Sequence, residues 1–117
     1  GQACIGDCAW HGKGLVLPTE TVASNSGAHI YHQYTIRVKN RDSLAMGLTA
    51  AGIGNSVYYP LCLHQQDCFS NLGYADIEDL CPHAVCAANQ ALSLPIYPEL
   101  SEDDQRRLVD TIGSLLA

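Results

Sequence analysis

The chain reads as an α/β domain, with a small mixed β-sheet flanked by three or four helices. Three observations carry that expectation. Residues 30–38 alternate apolar and polar side chains at the period of a strand. Residues 41–51 and 102–116 repeat apolar residues at helical spacing, each behind a capping residue. And 117 residues, 47% of them apolar, suffice to bury a real core without covalent staples.

Residues 1–28 hold short clusters of Gly, Pro, Ser, Asn and Thr, with Leu15-Val16-Leu17 as the apolar anchor. They read as a lead-in segment. In the first strand, Ile30, His32, Tyr34, Ile36 and Val38 share one face, and Tyr31, Gln33, Thr35 and Arg37 share the other. Asn40 offers an N-cap, and Leu44, Ala45, Leu48 and Ala51 form a helical stripe. Gly52 ends that helix as a left-handed cap residue followed by Ile53. Gly47 inside it implies close packing, because a mid-helix glycine costs about 1 kcal/mol relative to alanine. Residues 55–59 read as a second strand stopped by Pro60, and residues 64–72 as a short helix closed by Gly73. Pro82 opens another helix, with Ala84, Val85, Ala88, Ala91 and Leu92 as its apolar face. Residues 92–96 are extended. Ser101 then caps the last helix, Glu102, Asp103 and Asp104 load its first turn, and Leu108, Ile112, Leu115 and Leu116 form its stripe.

Six basic and twelve acidic residues give a net charge of −6. That balance excludes a nucleic-acid footprint, which draws on clustered Lys and Arg. No run of about 18 apolar residues predicts a membrane span. The opening residues lack the apolar core of a secretory signal, so the expected location is the cytoplasm. Only 15% of residues are charged, and none lies between Leu44 and Ile53 or between Ala84 and Tyr97. Surfaces of independent small domains carry more charge. Some apolar surface is therefore expected to meet a partner.

The six cysteines are Cys4, Cys8, Cys62, Cys68, Cys81 and Cys86. In a cytosolic chain they read as structural buried thiols. Two spacings invite a metal reading: Cys4, Cys8 and His11 as C-x3-C-x2-H, and Cys81, His83 and Cys86 as C-x-H-x2-C. Neither is a zinc-finger pattern.

Of the two lysines, Lys13 sits between glycines without the spacing of a phosphate loop. Lys39 ends a strand beside Asn40 and Arg41, where a solvated charge is expected rather than a desolvated Schiff-base amine. No G-x-S-x-G nucleophile elbow occurs. His32, on the apolar face with Tyr34, reads as a hydrogen-bonded core residue. The stretch Val57-Tyr58-Tyr59-Pro60-Leu61-Cys62-Leu63-His64-Gln65 carries the most chemistry. Phenols and an imidazole at a strand-to-helix turn suit a ligand with phosphate or sugar hydroxyls. A tyrosine-rich turn capped by His64 explains the same residues, and spacing alone leaves both readings open.

Ala28 to Val38, Arg41-Asp42, Ala51-Gly52-Ile53, Val57-Tyr58-Tyr59-Pro60 with Leu63-His64, Phe69, Leu72-Gly73-Tyr74 and Leu92 to Leu100 follow one another at characteristic intervals. This series resembles the C-terminal small domain of the DegT/DnrJ/EryC1/StrS sugar aminotransferases, over roughly residues 15–116. The resemblance implies the fold of an aminotransferase C-terminal domain over residues 15–117, preceded by a non-matching lead-in over residues 1–14. It implies transfer of an amino group to a nucleotide-linked keto-sugar with pyridoxal phosphate (PLP). In that family the large N-terminal domain carries the Schiff-base lysine, so no catalytic residue, no cofactor and no metal is expected on this chain alone. Tyr58 and Tyr59 match the loop that approaches the nucleotide-sugar, and His64 matches the histidine that follows it. Many members have His where Tyr58 stands, which weakens that assignment.

Three functions follow as expectations. The chain is a detached aminotransferase domain, inactive alone; or a stand-alone binding or oligomerisation module; or a thiol or metal protein using Cys4, Cys8 and His11. Its expected partners are a second copy of itself or a missing large domain, met through an exposed apolar face, and a nucleotide-sugar.

Overall fold

A computed structural model describes residues 14–20, 29–74, 77 and 80–117. Strand β1 (Leu15–Val16), strand β2 (Tyr34–Val38) and helix α1 (Arg41–Ala50) come first. Two 3-10 turns, Leu63–Gln65 and Asp67–Leu72, lead to helix α2 (Pro82–Gln90), strand β3 (Ala91–Leu94) and helix α3 (Glu102–Leu116). The architecture is the expected α/β one. The sheet order is β1-β2-β3, and both pairings are antiparallel. The expected mixed sheet is replaced by an antiparallel one, because the apolar anchor at residues 15–17 supplies the third strand and residues 55–59 do not. That segment contributes one bridge, Ser56 to Ser93, with backbone bonds of 3.0 and 2.9 Å.

Register sorts the side chains onto two faces. Ile36 stands opposite Leu92 and Tyr34 opposite Leu94, while Thr35 stands opposite Ser93 and Arg37 opposite Ala91. Ile36, Val38, Leu92 and Leu94 pack with Leu44, Leu48 and Ile53 and with Ile112 of α3 as a single core. Each large apolar side chain removed from water there contributes about 1.5–3 kcal/mol. Strand β2 begins at Tyr34, four residues later than the alternation predicts. Ile30 is 85% exposed and His32 is exposed, so His32 is not a core histidine. Alternation marks a strand only where a neighbour pairs with it, and β3 pairs no further than Tyr34.

Helix α1 ends as its sequence demands. Gly52 adopts φ +72°, the Ile53 N–H reaches the Leu48 carbonyl at 2.9 Å, and the Gly52 N–H reaches Thr49 at 3.0 Å. That is a complete Schellman cap, with Ile53 buried as its apolar follower. At Gly47 a Cβ would stand 2.7 Å from both Leu115 methyl carbons, so the glycine admits α3. Asn40 takes the N-cap position without a side-chain bond.

Arg41, 8% exposed, does work the pattern does not reveal. Its Nη1 donates to the carbonyls of Ala88 and Ala91, both at 3.0 Å, and its Nε pairs with Asp42. A cation thus closes the negative end of α2 at its junction with β3. Helix α3 starts where expected: the Asp104 N–H donates to Ser101 Oγ at 3.1 Å. Its stripe buries less than expected, since Ile112 is buried while Leu115 and Leu116 stay 44% and 39% exposed. In α2 the buried residue is Cys86, whereas Ala84 is exposed and Ala91 and Leu92 already belong to β3.

Candidate functional site

The second face of the sheet forms the floor of a cavity of about 590 Å³. Thr35 and Ser93 rise from paired positions, their hydroxyls 2.8 Å apart. Helix α2 makes one wall with Ala84, Ala87 and Ala88. Small side chains there leave room that larger ones would fill. The other wall is the chain that leaves the Ser56 bridge. It brings Tyr58, Tyr59, Cys62 and His64 to the same cavity. All three residues named from the sequence for ligand contact therefore meet in one place.

Local structure explains how they get there. Pro60 follows the single bridge, so the segment cannot continue along the sheet. The expected helix over residues 64–72 is two 3-10 turns instead, broken at Gln66, which takes extended angles of φ −80° and ψ 141°. The Cys62 N–H donates to Gln65 Oε1 at 3.3 Å, a local bond that holds the first turn. Gly73 closes the second turn at φ +69°, as its position implied. Tyr59 is 75% exposed and Tyr58 55% exposed, so their phenols are presented rather than packed.

Sequence reasoning missed part of the lining. Thr35, Ser93, Gln33 and Gln66 join the aromatic residues. Thr35 and Gln33 were legible as the polar face of the strand. Ser93 is legible only as the small polar residue inside Leu92-Ser93-Leu94.

The cysteines depart from the expectation of buried thiols. Cys62 is half-buried and free, and Cys68 and Cys81 are exposed and free. Cys86 is buried and disulfide-bonded, and receives Arg37 Nη2 at 3.2 Å. Burial pushes the Cys62 thiol above its ordinary value, and the nearby Cys81 pushes the same way. Cys4, Cys8 and His11 lie outside the described residues. Among the described residues no group of three His, Cys, Asp or Glu side chains could hold a metal ion.

A separate cluster surrounds Tyr31, which sits at φ +46°. Its N–H donates to His29 Nδ1 at 2.9 Å, and its hydroxyl donates to Glu20 Oε1 at 2.7 Å. The bond to Glu20 raises the Tyr31 phenol above its ordinary value. A side-chain bond thus holds an unfavourable backbone conformation.

The DegT/DnrJ/EryC1/StrS aminotransferase family model matches residues 12–113. The chain belongs to that family. It is 50% identical over 85 residues to a pleiotropic regulatory protein of Geobacillus stearothermophilus, covering 73% of this chain and 22% of that protein. It is 35% identical over 109 residues to a UDP-N-acetyl-3-dehydro-alpha-D-glucosamine 3-aminotransferase of Acidithiobacillus ferrooxidans, covering 92% of this chain and 28% of that enzyme. Among solved structures, Streptomyces venezuelae DesV matches with a TM-score of 0.72 at 32% identity, covering 87% of this chain and 26% of that one. The chain thus spans about a quarter of the length of the DegT-family relatives it matches. Among the described residues no helix is long and apolar enough to cross a membrane.

The cavity does not fit PLP itself. Among the described residues its lining holds no lysine to bind the cofactor's aldehyde, no arginine for its phosphate and no carboxylate for its pyridinium nitrogen. Lys39 is exposed at the end of β2, and Lys13 lies outside the described residues.

Proposed function

We propose that residues 15–117 are the C-terminal small domain of a nucleotide-sugar aminotransferase, and that residues 1–14 are a lead-in to it. In this reading Tyr58, Tyr59 and His64 contact the nucleotide-linked sugar, and the lysine that holds PLP lies on a large domain outside this sequence. The chain then binds and orients substrate but does not transaminate alone. The observation that carries the reading is the convergence of those three side chains with Thr35 and Ser93 on one cavity, in a chain matched by the family over residues 12–113.

The chemistry of the lining supports a sugar. Phenols, an imidazole, two hydroxyls and two amides offer donors and acceptors for sugar hydroxyls, and the tyrosine rings offer flat apolar area to a pyranose or a base. Covalent amine chemistry needs an activated lysine, and none is among the described residues of the lining. The large domain, or a second copy of the chain, meets this domain through apolar surface. Leu17, Ile96, Tyr97 and Val109 are all at least 39% exposed along a groove between β3 and α3. A cytoplasmic location goes with the aminotransferase reading.

Two measurements test the proposal. In an NMR titration of the chain with UDP- and dTDP-sugars, shifts should concentrate at Tyr58, Tyr59, His64, Thr35 and Ser93. Affinity should be weak, because a site shared by two domains is preorganised by both. Shifts confined to other residues would remove the three side chains from the site. Borohydride trapping after PLP titration should leave no saturable adduct. A saturable adduct on Lys13 or Lys39 would show cofactor chemistry on this chain and overturn the reading.

A further inference from the structure

The cavity contains two thiols that the aminotransferase reading does not use. Cys62 begins the first 3-10 turn, half-buried, and Cys81 is exposed just before α2. Both are free, and both line the same cavity, one from the tyrosine wall and one from the α2 wall. Cys68, the third free thiol described, is exposed and does not line the cavity; its Sγ lies 3.8 Å from Gln66 Oε1.

We propose that Cys62 and Cys81 form a reversible disulfide across this cavity when the protein meets a peroxide, tying the tyrosine wall to the first turn of α2. The inference goes beyond the aminotransferase reading and does not need it.

The two residues differ in a way that orders the steps. Cys81 is exposed, so the oxidant reaches it first. Its sulfur attacks one peroxide oxygen, the O–O bond breaks, and a sulfenic acid and one water result. The Cys62 sulfur then attacks the sulfenic sulfur, the S–O bond breaks, and a second water leaves. Two thiols and one peroxide become one disulfide and two waters; the thiols lose two electrons and the peroxide gains them. A dithiol reverses the reaction by exchange.

Cys62 and Cys81 line one cavity, and Cys81 is near enough to act on the Cys62 thiol. A disulfide needs Cα atoms within about 7 Å of each other, and peptide mapping of the oxidised chain tests whether the two reach it. Burial and the neighbouring Cys81 raise the Cys62 thiol above its ordinary value, which fits it to the second step rather than the first. Once formed, the bond anchors Cys62 between Tyr59 and His64, and restricts what the cavity can admit.

The test uses the full chain with the Cys86 disulfide left intact and Cys62, Cys68 and Cys81 confirmed free by thiol titration, treated with equimolar hydrogen peroxide. Remaining thiols are alkylated and peptides are mapped without reduction. The expected result is a peptide pair joining Cys62 to Cys81, lost on adding dithiothreitol, with Cys68 still alkylated. Cys68→Ser should leave the pair intact, while Cys62→Ser and Cys81→Ser should each abolish it. The inference is overturned if Cys62 and Cys81 oxidise separately to sulfinic acids, if either pairs with Cys68 or with a second copy, or if both stay reduced. Every variant is checked by circular dichroism, so misfolding is not mistaken for loss of the bond. None of these results bears on sugar binding or on PLP trapping, so the two proposals fail separately.

Discussion

Ile36, Leu48 and Leu92 are at most 1% exposed, whereas Tyr59 and Leu63, on the other side of the same sheet, are 75% and 70% exposed. Apolar side chains are buried on the first side and left largely exposed along the segment that walls the second. The first face is covered by the chain's own helices, α1 and α3, except along the groove between β3 and α3. The second is walled by α2 and by a segment with one strand bridge and two 3-10 turns. Leu61, Leu63, Leu72, Tyr74 and Leu80 along that segment are all at least 42% exposed. Apolar side chains left at the surface in such numbers belong to a face that something else completes. Stability should therefore reside in one face and recognition in the other.

Core truncation breaks the comparison most forcefully. Leu48→Ala and Leu92→Ala each empty a fully buried position, and should each cost about 2–5 kcal/mol of unfolding free energy in urea titrations. Tyr59→Ala and Leu63→Ala should change it by less than about 0.5 kcal/mol, because neither side chain is buried. If both pairs cost the same, the second face contributes to the core and is not a recognition surface.

Arg41 tests the seam between the faces. It stands at the start of α1 yet bonds the Ala88 carbonyl in the last turn of α2 and the first carbonyl of β3, Ala91. Arg41→Met keeps the volume and removes both donors to the Ala88 and Ala91 carbonyls, and should cost about 1–3 kcal/mol. Arg41→Lys keeps the charge but lacks the planar fork, and should recover only part of the loss. Full recovery would mean that charge at the end of α2, not paired bonding, holds the seam.

Ser101→Ala probes a feature on the core side that needs no tertiary contact. Its hydroxyl accepts from the Asp104 N–H, and losing that cap should cost about 1 kcal/mol. Ser101→Asp should retain nearly all the stability. A large loss with Asp would show that the Ser101 contact depends on size rather than on the acceptor.

How much was legible follows from what fixes each part. Helix ends were written in single residues. Gly52, Gly73, Pro82 and Ser101 all act as their chemistry requires, because caps depend on local geometry alone. The strands were less legible. Leu15-Val16 looked like an anchor and pairs as β1, while residues 55–59 looked like a strand and contribute only the Ser56 bridge. Pairing depends on which segment arrives beside β2, and no residue announces that alone. Of the site, Tyr58, Tyr59 and His64 were named from a motif, and the structure brings them together. Ser93 and Cys81 were invisible as lining, because they reach the cavity only through the β2–β3 register and the start of α2. The role of Arg41 was hidden for the same reason: its acceptors lie 47 and 50 residues away.

The smallest effect sharpens the comparison on the second face. Burial first, and Cys81 second, hold the folded-state Cys62 thiol above its ordinary value. A raised acid keeps its proton longer in the folded state than in the unfolded one. The associated stability is fully present below the unfolded thiol value of about 8.5, and is lost as pH rises through the folded value. Urea midpoints of the reduced chain should therefore fall more between pH 8 and pH 10 than those of Cys62→Ser, which has no thiol there to ionise. A steeper fall in the variant would mean that the folded state favours the thiolate. The tyrosine wall would then be polar enough at Cys62 to hold a charge, and burial would not be what governs that thiol.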